Sequence, residues 1–187
     1  MKPLTRADIL PLAEYQAIRD DFRRRIIGVK KFRRVSVGPH VTAVFENRET
    51  IRFQIQEMLR AEGIAEAEKI DAEIETYNTL LPAPGELSAT VFLEYTSDEE
   101  LRTVMPRLLG IEEHLKFLLP GGRAVPATFE PGRSTEDRTS SVHYCRFPFD
   151  AAARAAFTSG GEVFLAIDTD AYRERARLHA EVIRALA

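Results

Sequence analysis

The sequence predicts an α+β protein: a single domain spanning residues 1–187, with a mainly antiparallel sheet and several helices. Strand-like runs crowd the second half without a helix between each pair, whereas a doubly wound parallel fold would alternate the two. Gly38-Pro39 joins two short β-branched runs, the pattern of a hairpin. Helical periodicities gather near the two ends and in the middle of the first half.

Thr5-x-x-Asp8 resembles a capping arrangement, and Pro11 suits the first turn of a helix running to about Ile27. Tyr15, Ile18, Phe22 and Ile26 recur at spacings of three and four and predict one buried stripe, with Gly28 as the stop. The basic segment Lys30-Lys31-Phe32-Arg33-Arg34 leads into Val35-Ser36-Val37, and Val41 to Phe45 forms the returning strand. Asn47 is a good N-cap for a helix from Arg48 to Glu62. Ile51, Ile55, Met58 and Leu59 make its core stripe, while Phe53 points nearly the opposite way. That aromatic needs cover from another element or a partner subunit, and a homodimer is the expectation. A further helix runs from Ala65 to about Thr79, ending at the break Leu81-Pro82-Ala83-Pro84-Gly85.

Beyond the break, Leu87 to Tyr95 reads as a strand, and Ser97 or Asp98 caps a helix to about Leu109, interrupted by Pro106. Strands follow near Leu115–Leu119, Ala124–Phe129, Ser141–Phe147 and Val163–Ile167, with a short alanine-rich helix from Ala151 to Phe157. Tyr172 to Leu186 closes the chain as a helix.

At 187 residues, 44% hydrophobic and 29% charged, the chain has the composition of a globular domain able to bury its own core. It lacks the run of roughly 18 apolar residues a membrane span needs, and its start lacks the apolar core of a signal peptide. A cytoplasmic location is therefore expected. The single cysteine, Cys145, excludes an internal disulfide and any cysteine-only zinc or iron–sulfur site within one chain. The net charge of −3 conceals an asymmetry: ten Lys/Arg against four Asp/Glu up to Arg34 give +6, and the remainder gives −9. Cations so few, with only Phe22 and Phe32 interleaved, do not make a nucleic-acid surface.

Phosphate loops, dinucleotide fingerprints, nucleophile elbows and His-Glu-x-x-His helices are absent from the sequence, so no cofactor or metal is expected. His143 and Cys145 share a strand face and could reach one ion, but a hydrogen-bonded histidine beside a small buried thiol is the commoner arrangement. The candidate anion site combines Arg33, Arg34, Arg138 and His143, because guanidinium groups meet carboxylate or phosphate through two coplanar N–H donors. His40, Glu46, Gln54, Glu57 and Asn78 are the candidate pocket lining. A histidine near a carboxylate would suit general acid–base chemistry on a small anionic metabolite. The same amides and carboxylates also serve commonly as helix caps and partners for buried backbone. The catalytic residues, if any, are not identified by these patterns.

Lys30-Lys31-x-Arg33-Arg34-Val35, Gly38-Pro39-His40-x-Thr42, Phe45-Glu46-Asn47, Gln54-Ile55-Gln56-Glu57-Met58-Leu59-Arg60, Tyr77-Asn78, Gly110-Ile111-Glu112 and Arg138-Thr139-Ser140-x-Val142-His143-Tyr144 follow one another along nearly the whole chain. In these motifs the sequence resembles a bacterial domain-of-unknown-function family, DUF 3501. Asp168-Thr169-Asp170 stands where many relatives have Asp-His-Pro, and Cys145 lies outside the shared pattern. Such proteins are typically encoded near rubrerythrin-like and heterodisulfide-reductase-like iron–sulfur proteins. The resemblance thus implies a non-catalytic accessory role beside a redox partner of that kind, with an enzyme acting on a small anion through an Arg/Glu/His pocket as the alternative.

Overall fold

The computed structural model of the protein describes residues 1–130 and 140–187. It is an α+β fold whose chain divides into two compact units. One comprises Met1–Phe32 and Glu46–Pro84, the other Arg33–Phe45 and Gly85–Ala187.

The first unit is helical. Thr5 and Asp8 cap a separate single turn, Arg6–Asp8, through the bond from the Thr5 amide to the Asp8 carboxylate (2.8 Å). Helix α1, Leu12–Lys31, begins behind Pro11 and runs straight through Gly28. Nothing lies within 4 Å of where a Cβ on Gly28 would stand, and its backbone stays helical. One glycine costs a helix about 1 kcal/mol, which the flanking turns outweigh. The expected stop is therefore displaced to Phe32. Tyr15, Phe22 and Ile26 are buried as the periodicity requires, but Ile18 is 43% exposed.

Helix α2, Arg48–Glu62, has the expected bounds. The Asn47 side chain accepts hydrogen bonds from the amides of Glu49 (3.0 Å) and Thr50 (2.9 Å), and Gly63 ends the helix in the left-handed region. Helix α3, Ala67–Asn78, follows it. Phe53 is half-buried inside this unit: its ring stacks on Phe22 of α1 with centroids 6.0 Å apart, and the Lys30 ammonium lies 5.7 Å from its centroid. Phe53 therefore does not by itself call for a second subunit.

The second unit holds two antiparallel sheets. Strands β1 (Arg34–Val37) and β2 (Val41–Phe45) form the expected hairpin, with Val37 opposite Val41. β2 then pairs with β3, Glu86–Leu93. Beyond β3, α4 (Asp98–Val104) gives way to a 3-10 turn at Pro106, where the interior helix bond is lost. Strand β4 is Leu115–Leu119 and β5 is Arg123–Pro126. The strand expected over residues 124–129 is in fact two, because at Ala127 the chain passes to the other sheet as β6, Thr128–Phe129. Strand β7 (Val142–Pro148), helix α5 (Ala151–Thr158) and strand β8 (Phe164–Asp168) follow. The expected closing helix is shorter: Arg173–Arg177 is strand β9, antiparallel to β8, and only α6, Ala180–Leu186, is helical. Arg-Glu-Arg-Ala-Arg has good helix propensity, but an edge strand of alternating long side chains is the structure that pairing with β8 selects.

The sheet orders are β1-β2-β3-β7-β6 and β5-β4-β8-β9. Their inner faces meet in one core, where Phe45 of the first sheet and Phe117 of the second lie 5.6 Å apart between centroids. α5 and α6 add Phe157, Val182 and Leu186 to that core. The β1–β2 turn is held from a distance. Gly38 adopts φ +72°, and the Tyr172 hydroxyl donates to the Val37 carbonyl (2.7 Å) and accepts from the His40 amide (3.2 Å). Burial raises the Tyr172 pKa. Tyr172→Phe should cost about 1–2 kcal/mol, since a buried carbonyl loses its donor. A urea titration showing no shift in midpoint would mean that this tie does not stabilise the fold.

Candidate functional site

In the helical unit, the expected pocket residues serve structural bonds. Glu57 of α2 receives the Tyr15 hydroxyl (2.7 Å) and both ends of the Arg19 guanidinium, Nε on Oε1 (2.8 Å) and Nη2 on Oε2 (2.7 Å), with Arg60 Nε at 3.4 Å. The Arg19 hydrogen bond, aided by Tyr15, outweighs burial and lowers the Glu57 pKa from 4.5 to about 2. Tyr15 is fully buried, and desolvation together with Glu57 raises its pKa. Asn78 accepts the Leu4 amide (2.8 Å) and donates to the Leu4 carbonyl (2.9 Å), pinning the N-terminal segment to the end of α3. Glu46 is 4% exposed and accepts from the Thr50 hydroxyl and from Gln54 Nε2 (3.0 Å). Glu46 and Gln54 are thus brought together, while Glu57 and Asn78 each answer to a different N-terminal partner.

In the sheet unit, Arg33 donates to the Ala185 carbonyl (2.5 Å) in the last turn of α6, with the Phe45 carbonyl at 3.4 Å. Arg34 is exposed and lies 3.7 Å from Glu94 Oε1. His40 reaches the same residue, its Nδ1 3.2 Å from the Glu94 carbonyl, and stacks at 6.4 Å on Tyr95. Arg34 and His40 therefore meet at one residue, Arg34 through the Glu94 carboxylate and His40 through its backbone carbonyl. His143 is 2% exposed, with Nε2 2.8 Å from the Ser140 carbonyl and the Phe129 ring edge-on at 5.9 Å. Arg138 lies outside the described residues. Cys145 is buried on the same strand face as His143, and desolvation pushes its thiol far above its usual range, the setting of a packing cysteine. Among the described residues, no group of three His, Cys, Asp or Glu could hold a metal ion.

The sequence reasoning missed the outward face of α1. Arg23, Ile27 and Lys31 stand four residues apart and so share one side of the helix. Ile27 is 59% exposed, and both flanking cations are exposed. Arg24, beside them, is paired with Asp21, and Arg25 reaches Glu49 at 2.5 Å. Lys31 lies over the Phe32 ring at 5.4 Å. The i, i+4, i+8 spacing is present in the sequence, about a quarter-turn from the buried stripe of Tyr15, Phe22 and Ile26.

A helical unit and a two-sheet unit of this kind define an α+β protein whose recognisable polar motifs hold backbone and helices in place. The chain belongs to the family described as "Protein of unknown function (DUF3501)", which matches residues 3–187. It is similar to a novel protein of unknown function from Burkholderia pseudomallei K96243, known from a crystal structure at 1.90 Å resolution. The two are 34% identical with a TM-score of 0.91, over 99% of this chain and 97% of that one. No curated protein matches the chain. No helix among the described residues is long and apolar enough to cross a membrane.

Proposed function

We propose that the chain is a non-catalytic accessory protein that docks on an acidic surface of a redox partner, an iron–sulfur oxidoreductase or rubrerythrin-like protein. The observation that carries this reading is the outward face of α1, where an isoleucine 59% exposed stands between Arg23 and Lys31. An apolar centre with a cationic rim is the composition of a docking patch. The direct bonds of Glu46, Gln54, Glu57, Asn78 and Arg33 to their own chain favour binding over chemistry. The choice of a redox partner rests on the family's usual gene neighbours.

Charge attraction of this kind speeds encounter more than it tightens the final complex. The test is binding of the purified chain to the iron–sulfur or rubrerythrin-like protein encoded beside it, at rising salt. The association rate should fall steeply with salt, and Ile27→Asp with Lys31→Glu should weaken binding at least about tenfold. Binding unchanged in that variant and indifferent to salt would overturn the reading. Copurification of the untagged neighbouring gene products, followed by mass spectrometry, separates it from the enzyme alternative, which a stoichiometric retained metabolite would support.

A further inference from the structure

The outward face of the β5-β4-β8-β9 sheet carries a second constellation, which involves no residue of α1. Lys116 pairs with Ala166 across β4 and β8, and Ala166 pairs with Arg175 across β8 and β9. Their neighbours Phe117 and Leu165 are fully buried in the core, so the row Lys116, Ala166, Arg175 faces outward. Strands about 4.8 Å apart set the Cα atoms of Lys116 and Arg175 about 10 Å from one another. The short methyl of Ala166 between them leaves a slot. A groove of about 360 Å³ opens there, lined by Lys116, Leu118, Ala166, Asp168, Arg173 and Arg175. That volume suits a small molecule.

Its charges are unequally matched. Asp168 receives Arg173 Nε at 2.9 Å and stands 3.7 Å from the Lys116 ammonium, and Arg177 pairs with Glu162 at 3.2 Å. Arg175 is different: no acid or carbonyl contacts its guanidinium among the described residues, and it lies over the Phe164 ring at 5.1 Å from the centroid. A guanidinium supported on an aromatic face keeps its edge donors available for two oxygens in one plane.

We propose that this groove binds a small organic carboxylate, its acid group on Arg175 with Lys116 opposite and its apolar body over Ala166 and Leu118. The single negative charge is part of the assignment. Asp168 lines the same groove and opposes a second one, whereas the Glu174 side chain lies on the other face of β9, against Gly38. A dianionic phosphate ester, equally able to accept from Arg175, meets that repulsion in full.

The test is calorimetric titration of the full chain with benzoate, with benzyl alcohol and inorganic phosphate as comparisons and amide chemical shifts to locate the site. Benzoate should bind in the millimolar range or tighter, shift the amides of Ala166 and Leu118, and outbind both comparisons. Arg175→Met, an exposed change that keeps an apolar stem over Phe164, should weaken it at least about tenfold. Ala166→Leu should do the same by filling the slot while leaving both cations. Absence of benzoate binding up to about 10 mM, affinity unchanged in Arg175→Met, or phosphate binding as tight as benzoate would each overturn the proposal.

Discussion

Phe117→Ala should lower the unfolding free energy by about 4 kcal/mol, the middle of the range for removing a buried ring. Phe117 is fully buried, and its ring centroid lies 4.7 Å from Phe147, 5.5 Å from Phe149, 5.6 Å from Phe45 and 5.7 Å from Phe157. It therefore joins β2 and β7 of one sheet to β4 of the other and to α5. Truncation leaves four aromatic edges facing a void that a sheet backbone cannot close. Phe117→Leu should retain more than half of the lost stability, because the cavity is smaller. Urea denaturation measures both. A loss below about 1 kcal/mol for the alanine variant would mean that the two sheets are held together elsewhere.

Glu57→Leu should cost about 3 kcal/mol, because removing one partner of a hydrogen-bonded network orphans the rest. The Tyr15 hydroxyl would be buried without an acceptor, and Arg19 would lose its bidentate carboxylate. Tyr15→Phe added to Glu57→Leu should restore part of the loss, since the orphaned hydroxyl goes with it. The contribution also depends on acidity. The folded-state pKa of Glu57 is depressed from 4.5 to about 2, so its stabilisation is present above pH 4.5 and is lost as pH falls through about 2. The difference in stability between the parent and Glu57→Gln should accordingly shrink across that window. A difference that stays constant from neutrality to pH 2 would show that the carboxylate's charge is irrelevant to the fold.

The elements most legible in the sequence were those whose ends carry their own chemistry. α2 was visible because Asn47 caps one end and Gly63 closes the other, and both act within a few residues of themselves. The β1–β2 hairpin was visible for the same reason at Gly38. What misled was context. Gly28 lacks a strained backbone conformation and so ends nothing. Arg173 to Arg177 alternate with period two, but only pairing with β8 chooses strand over helix. Of the candidate site, residue types were legible and partners were not. The acceptor of Tyr15 is 42 residues away, and Arg33 is bonded to a carbonyl 152 residues away. Local pattern carries no information over such separations. The Lys116, Ala166, Arg175 row has the same origin, since it needs two strand registers to be known together.

The hairpin's position in the chain constrains how the protein can be made. β2 is buried at every position and sits between β1 and β3, yet α2 and α3 are synthesised between it and β3. At roughly 5–20 residues per second, about forty residues leave the ribosome before β3 does, an interval of several seconds. Throughout that time β1 and β2 lack the third strand that would stabilise them, and the apolar edge of β2 is the kind that recruits foreign strands. Translation arrested near Pro84 would release a polypeptide with its helical unit intact and a sheet seam open to aggregation.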